Sequence, residues 1–584
     1  TRLQKYIISD KNINIKVCNI KSIIALKLQG WNDVSYHGSD QIMTPNIDAM
    51  AYQGAILHQY YSEAVCTPAR TALLTGTYPM RLGMHGLPLY NAEDRGIPLT
   101  QRLLPSFLKE MGYTTHLVGK WHVGMSKEEY LPTFRGYDSH YGMRGGFVDY
   151  YTYNKVERWP DGKEYVGLDL FDGMEPQINE DRYITKEDTT DIISIISVIT
   201  NHNKSKPLFL HVTHNAPHAG NDASALQPPP YTSSRNRHIA HSDRRLFADM
   251  VTHLDNSFGR LISALDEKRI LHDTLIVFIS DNGAPTVGTF RNWGLNLPMR
   301  GQKFTPWEGG VRVPAFIWHS SMRPLVWDGL MHITDWLPTL ISAAGGEVPN
   351  TIDGINQWDA IINGDESKRK EVLVSIDNMR GYASYRLNDY KIILGNISGT
   401  PYNDYLGEEF MQLRSTPPSY LNELLVCDVV RILKSSGYKF DNEEVFKMRD
   451  AASLRQLDLR PDSQYNLFEF LFTAKGCLYN VRRDPAETHD LWDVAQPIAS
   501  LLITRLDLLW NQQQPRTPSV RDERGDPAKN NYIWKPWLRK GNNIVEINSN
   551  DLDFNDLSIT NKSNVKCGSN PSWQNILCIL RNVF

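Results

Sequence analysis

The stretch "TLIVFISDNG", residues 274–283, decides the fold. Leu275 to Ile279 are apolar without interruption, and the run stops abruptly at Asp281-Asn282-Gly283. Strict alternation would mark a strand with one wet face. A continuous run this short marks a strand buried on both faces, as in a parallel sheet covered by helices. Just upstream, "RRLFADMVTHLDNSFGRLISALDEK" (244–268) repeats apolar residues at helical spacing. Further back, "PLFLHVTHNAPH" (207–218) is a second strand that ends in His214 and His218, and "TTHLVGKWH" (114–122) a third that runs into Lys120 and His122. Strands alternating with helices predict an α/β sandwich around a large, mostly parallel mixed sheet. In such sheets a site lies beyond the carboxyl ends of the strands, where these polar residues fall.

The texture changes after about residue 370. "ASYRLNDYKIILG" (383–395) reads as an antiparallel hairpin with an Asn-Asp turn, and a charged helical stretch follows. We therefore expect an atypical segment over 1–29, a catalytic domain over 30–370, a smaller α+β domain with an antiparallel sheet over 371–541, and a poorly ordered tail over 542–584. The chain of 584 residues exceeds what one core organises, which suits that division. A net charge of −4 with no dominant basic run argues against a nucleic-acid partner. No apolar stretch approaches the roughly 20 residues of a membrane helix. Six cysteines, at 18, 66, 427, 477, 567 and 578, are too few for a disulfide scaffold. Asn203, Asn396 and Asn561 head glycosylation sequons, which matter only in a secreted chain. No signal peptide is visible at the start of the chain.

"CTPARTALLTG" (66–76) supplies the candidate nucleophile. Thr67 reads as N-cap, Pro68 as the first helical residue and Gly76 as the stop. Cys66 would then face the positive end of the helix with Arg70 one turn in, a setting for an anionic or oxygen-rich group. Taken singly, each feature has a plain reading: a structural cysteine, a solvated Lys-x-His strand end, a turn at Asp281-Asn282-Gly283, a surface lysine at 303. What reverses that judgement is their joint occurrence in the order of one known family.

Cys66-Thr67-Pro68-Ala69-Arg70 fits C-x-P-x-R, the signal by which type I sulfatases have a cysteine oxidised to formylglycine. "GYTTHLVGKWHVGM", "SDNGAP", "RGQKFTPWEGGVRVPAFIW", "HITDWLPTL" and "CLYNVRRDPAETHDL" follow in family order. Over residues 30 to 515 the chain resembles that family, closest to arylsulfatase B and its invertebrate relatives. The resemblance implies an alkaline-phosphatase-like fold and hydrolysis of sulfate esters of sugars, glycosaminoglycans included, with aryl sulfates as surrogates. It implies that Cys66 becomes a hydrated formylglycine whose two hydroxyls divide one hard displacement into two steps. Arg70 and Lys120 would hold those hydroxyls, His122 would act as base, and His218 and Lys303 would contact the sulfate, with His214 as a flanking residue. Asp281 and Asn282 would be oxygen ligands of one Ca2+ that also faces residue 66. A formylglycine-generating enzyme would be the maturation partner, the location lysosomal or secreted, and Cys427 could pair with Cys477.

One departure matters. Where the family's first strand ends in an Asp-Asp metal pair, counting back from Gly30-Trp31 finds Lys27 and Leu28, which cannot bind calcium. Asp33 is no substitute, since it belongs to the shared Trp-Asn-Asp segment; Ala69 replacing serine is milder. Either the chain is an impaired relative, with Lys27 partly replacing the metal's charge, or residues 1–29 are not the authentic first strand and the resemblance starts at Gly30. Two further readings stand beside hydrolysis: a phosphoryl hydrolase of the same superfamily, and a metal-deficient pseudo-sulfatase that binds sulfated glycans without turnover. The loop "MRGGFVDYYTYNKVERW" (143–159), where specificity would lie, and the oligomeric state are left open.

Overall fold

The computed structural model describes residues 22–28, 30–178, 190–229, 235–377, 380–395, 401–454, 476–516 and 519–538. Cys18, Cys567, Cys578, the sequons at Asn396 and Asn561 and the tail over 542–584 lie outside the described residues; Asn203 is exposed.

Among the described residues ten strands form the main sheet: β1 (Ser22–Leu28), β2 (Ala55–Tyr61), β3 (Thr114–Gly119), β4 (Ser139–Gly142), β7 (Phe171–Asp172), β8 (Glu175–Pro176), β9 (Leu208–Thr213), β10 (Thr274–Ser280), β11 (Ala315–Trp318) and β12 (Leu325–His332). Their order is β12-β2-β11-β10-β1-β9-β3-β4-β7-β8. The centre, β10-β1-β9-β3-β4, is parallel throughout, whereas β11 runs antiparallel to both its neighbours. A separate hairpin joins β5 (Asn154–Arg158) to β6 (Glu164–Leu168).

Residue parity sorts the apolar side chains of β10 to the two faces. Leu275, Val277 and Ile279 meet helices α2 (Cys66–Thr75), α3 (Leu104–Glu110), α7 (Trp336–Ala343) and α8 (Trp358–Asn363). Ile276 and Phe278 meet α1 (Pro45–Ala51), α4 (Thr190–Asn201) and α5 (Ser242–Glu267) on the opposite face. Every residue of β9 and β10 is buried, which is why both read as unbroken apolar runs.

The segment that looked foreign supplies the central strand. Backbone pairing runs from Ser22 opposite Thr274 to Lys27 opposite Ile279 and Leu28 opposite Ser280. Lys27 and Leu28 thus end β1 where β10 turns into Asp281.

The smaller sheet is antiparallel, in the order β13 (Glu371–Asp377), β14 (Tyr382–Leu387), β15 (Tyr390–Gly395), β16 (Cys477–Asn480), with helix α12 (Gln496–Trp510) packed on it. The β14–β15 turn places Asn388 at φ 51, a conformation asparagine tolerates. Helices α9 (Tyr420–Val426), α10 (Asp428–Ser435) and α11 (Asn442–Ala452) fall inside the span expected for this domain but pack on the catalytic side, within the apolar cluster of α1 and α5. Cys427, at the α9–α10 junction, donates to the Pro45 carbonyl at 3.4 Å, while Cys477 lies in a different cluster with Trp307 and Tyr382. The expected Cys427–Cys477 bridge is therefore absent. Their clusters belong to different layers of the molecule.

A buried ionic knot joins the two sheets. Lys391 of β15 lies 2.9 Å from both Glu308 and Glu487, all three side chains fully buried. Glu308 opens the short helix α6 (Glu308–Val311), and its backbone N–H donates to Glu487 at 2.7 Å. Removing one member of such a knot strands a buried charge at a cost of about 3–5 kcal/mol. The knot clamps the end of the loop that carries Lys303.

Candidate active site

Helix α2 begins at Cys66, with Val65 extended at the N-cap (φ −152) and Gly76 left-handed at the C-cap (φ 64). Thr67 is not the cap that its position suggests. Its hydroxyl donates to the His122 carbonyl at 3.0 Å and accepts the Leu89 N–H at 3.1 Å, tying three chain segments together at the floor of the site.

The residues singled out in the sequence converge there. The Cys66 thiol is buried and donates to Asn282 Oδ1 at 3.3 Å. Arg70, one turn along, donates to the Lys120 carbonyl at 2.7 Å and lies 3.5 Å from Asp281 Oδ2. Lys303 Nζ sits 3.2 Å from His218 Nε2. Cys66, His122, His218 and Lys303 line one cavity of about 860 Å3. His214 instead faces a separate small pocket with Tyr150 and His253.

Hydrogen bonds assign both histidine tautomers. His122 Nε2 is 2.9 Å from the Leu89 carbonyl, which can only accept, so Nε2 carries the proton and Nδ1 keeps its lone pair. His218 is the reverse: Nδ1 donates to the Ala219 carbonyl at 2.7 Å and Nε2 accepts from Lys303. Burial first, and Lys120 second, pull His122 down to about 3; burial and then Lys303 do the same to His218. Both rings are neutral at neutral and mildly acidic pH.

His122 also carries backbone strain, at φ 63. A non-glycine residue pays about 1–3 kcal/mol for such a conformation and keeps it only when its surroundings over-determine it. Here the His122 N–H donates to the Arg144 carbonyl at 3.0 Å, and a Cβ on Gly146 would come within 2.7 Å of the ring. At the end of β10, Gly283 is dictated by close approach, since a Cβ there would meet the Gly309 carbonyl at 1.9 Å.

Calcium takes six to eight oxygen ligands at about 2.4 Å. Asp281 and Asn282 stand beside Cys66, but Arg70 already partners Asp281, and the neighbouring strand end carries Lys27 and Leu28. Asp33 is engaged elsewhere, buried 2.7 Å from Arg244. Among the described residues no cluster of three His, Cys, Asp or Glu side chains could hold a metal. Among the described residues these donors number fewer than a calcium shell takes.

The rest of the cavity wall had no precise signal in the sequence. Tyr90 and Trp159 stack at 4.3 Å between ring centroids, and Phe147 stacks on His218 at 5.6 Å. Trp159 and Phe147 fall in the loop over 143–159; nothing singled out residues 87–90. The segment 519–538 braces this wall from outside, where Trp534 N–H donates to Leu168 O at 3.0 Å and Asp522 N–H to Ala92 O at 2.8 Å.

A cysteine at a helix start thus lies among buried cations beyond the carboxyl ends of a helix-covered sheet, and the fold is of the alkaline-phosphatase-like class. The family profile described as Sulfatase matches residues 23–346. The chain is 32% identical over 523 residues to arylsulfatase J of Mus musculus, covering 88% of this chain and 79% of that protein. It is 31% identical over 350 residues to N-acetylgalactosamine-6-sulfatase of Mus musculus, covering 57% and 64%. Among solved structures, Ps i-CgsB in complex with k-i-k-neocarrahexaose aligns with a TM-score of 0.62 at 22% identity, covering 86% of this chain and 95% of that one. The protein belongs to the sulfatase family and is a sulfuric ester hydrolase by that membership. The match begins inside β1, so the resemblance does not wait for Gly30. Among the described residues no helix is long and apolar enough to cross a membrane.

Proposed function

We propose that the protein hydrolyses sulfate esters of sugars, glycosaminoglycan type included, through a formylglycine made from Cys66 in a secretory or lysosomal setting. The observation that carries the reading is the meeting of Cys66, His122, His218 and Lys303 on the floor of one cavity. Oxidised and hydrated, Cys66 would supply paired hydroxyls, one to attack sulfur and one to allow release of sulfate. Lys303, donating to His218, would hold the sulfate oxygens and offset the charge that gathers on the leaving oxygen. Arg70 and Lys120 would favour an anionic oxygen at position 66. His122 Nδ1, its lone pair fixed by the Leu89 carbonyl, would take the proton from that oxygen.

The test is chemical. Protein made in a secretory host with a formylglycine-generating enzyme should carry an aldehyde in the tryptic peptide containing residue 66, detectable by mass and by a hydrazide probe. A peptide that remains wholly a thiol sinks the formylglycine reading.

Lys27 and Leu28 at the end of β1 favour a second reading, a metal-deficient pseudo-sulfatase that binds sulfated glycans without turnover. Stoichiometric calcium binding tighter than millimolar by calorimetry, together with turnover, eliminates it.

A further inference from the structure

Beyond its floor, the cavity has a composition that selects among sulfated compounds. Among the described residues four cations line it: Lys155, Arg158, Lys303 and Arg380. Lys155 is buried 2.9 Å from Glu157. Arg158 donates to Glu164 at 2.6 Å and lies 3.7 Å from Asp222; Arg380 donates to Asp377 at 2.6 Å. Lys303 is thus the one lining cation without a carboxylate partner among the described residues. At the mouth the balance is negative, because Glu164 and Asp222 share Arg158, and Asp222 is 72% exposed. Among the described residues the cavity therefore offers uncompensated positive charge at a single point, the floor. A second anion would meet closed ion pairs and then excess carboxylate.

Aromatic surface fills what the charges leave. Tyr90 is half-buried and lines the cavity, its ring lying on Trp159 at an interplanar angle of 25°. Trp159 is backed in turn by the Arg521 guanidinium, 6.0 Å from its ring. This stack holds the Tyr90 face rigid one residue from Leu89, the carbonyl that orients His122. The electron-rich face of such a ring suits the slightly positive C–H face of a pyranose or the edge of an aryl ring.

We infer that the ring bearing the sulfate stacks on Tyr90 and carries no other charge: a monosulfated neutral sugar, rather than one with a second sulfate or a carboxylate on the same ring. The inference rests on the sulfatase reading and narrows its substrate. It makes Tyr90 a substrate-binding residue, and Glu164 with Asp222 a charge filter.

N-acetylgalactosamine 4-sulfate and its 4,6-disulfate differ only in the second anion. The monosulfate should have the higher kcat/KM by about tenfold or more, since an unpaired like charge costs at least that much. Glu164→Gln with Asp222→Asn should narrow the gap. Tyr90→Ala should raise KM for the monosulfate by about tenfold with kcat nearly unchanged, and Tyr90→Trp should restore it. Equal or better turnover of the disulfate, or an unaltered KM in Tyr90→Ala, overturns the inference. Should neither sugar release sulfate, calorimetry with the same two ligands separates the readings. Tighter binding of the monosulfate then supports the inference while hydrolysis falls; equal binding, or none, overturns it.

Discussion

Lys303→Met tests the floor of the site, because methionine keeps the length of the side chain and removes only its charge. In the native protein Lys303 Nζ lies 3.2 Å from His218 Nε2, and both side chains are buried. Two effects follow. Deleting a preorganised donor to a group that gains charge in the transition state costs about 100- to 1000-fold in kcat, or 2.7–4 kcal/mol. Separately, two full charges 3.2 Å apart repel by about 5 kcal/mol at an effective dielectric near 20, so Lys303 strongly opposes protonation of His218. Burial is the larger cause holding His218 near 3 and it survives the substitution, so the pKa should rise yet stop short of 6.5. Aryl sulfate turnover reads the first effect, and a histidine NMR titration of the same variant reads the second. A loss below tenfold, or a His218 titration unmoved from the native one, refutes the placement of Lys303 against the sulfate and His218.

Gly146→Ala would push a methyl group to within 2.7 Å of the His122 ring and should lower kcat at least tenfold, while the far-UV circular dichroism stays native. Lys27→Asp with Leu28→Asp places carboxylates at the strand end beside Asp281; calorimetry should then detect calcium binding that the native chain lacks or holds weakly. Acid should destabilise the fold through the histidines. His122 and His218 have folded values near 3 against 6.5 unfolded, so the unfolded chain takes up protons first and stability is lost as pH falls from 6.5 towards 3. The loss approaches about 1.4 kcal/mol per pH unit for each histidine, and urea unfolding at pH 7 and pH 5 should show a shallower dependence in His218→Gln.

The parts of the site legible in the sequence are those that local pattern specifies. β9, β10 and α5 were readable because burial on both faces, or on one stripe, imprints its own periodicity on contiguous residues. The hairpin turn at Asn388 and the stop at Gly76 were readable because each needs a residue that tolerates positive φ. Thr67 marks the limit of local pattern: a threonine before Pro68 has the look of a cap, and only contact with His122 and Leu89 shows its use. The helices over 420–452 share an apolar cluster with α1 and α5, a partner their own sequence does not name, because helical periodicity reveals an apolar stripe and not the surface that covers it.

Sequence alone determined the family, the helix-covered sheet and the identity of Cys66, Arg70, Lys120, His122, His218, Asp281, Asn282 and Lys303 as the residues to watch. It also exposed the missing carboxylates at Lys27 and Leu28. Tertiary structure alone decided the histidine tautomers, because the acceptors are backbone carbonyls and a carbonyl has no identity in a sequence. It decided that Cys427 and Cys477 stay apart, since thiols bridge only when folding brings them together. It decided the charge balance of the cavity as well, setting Glu157 against Lys155 and, across the hairpin, Glu164 against Arg158. Periodicity and motif record what each segment must bury or bend; which segments then neutralise, orient or cover one another is fixed only when distant parts of the chain meet.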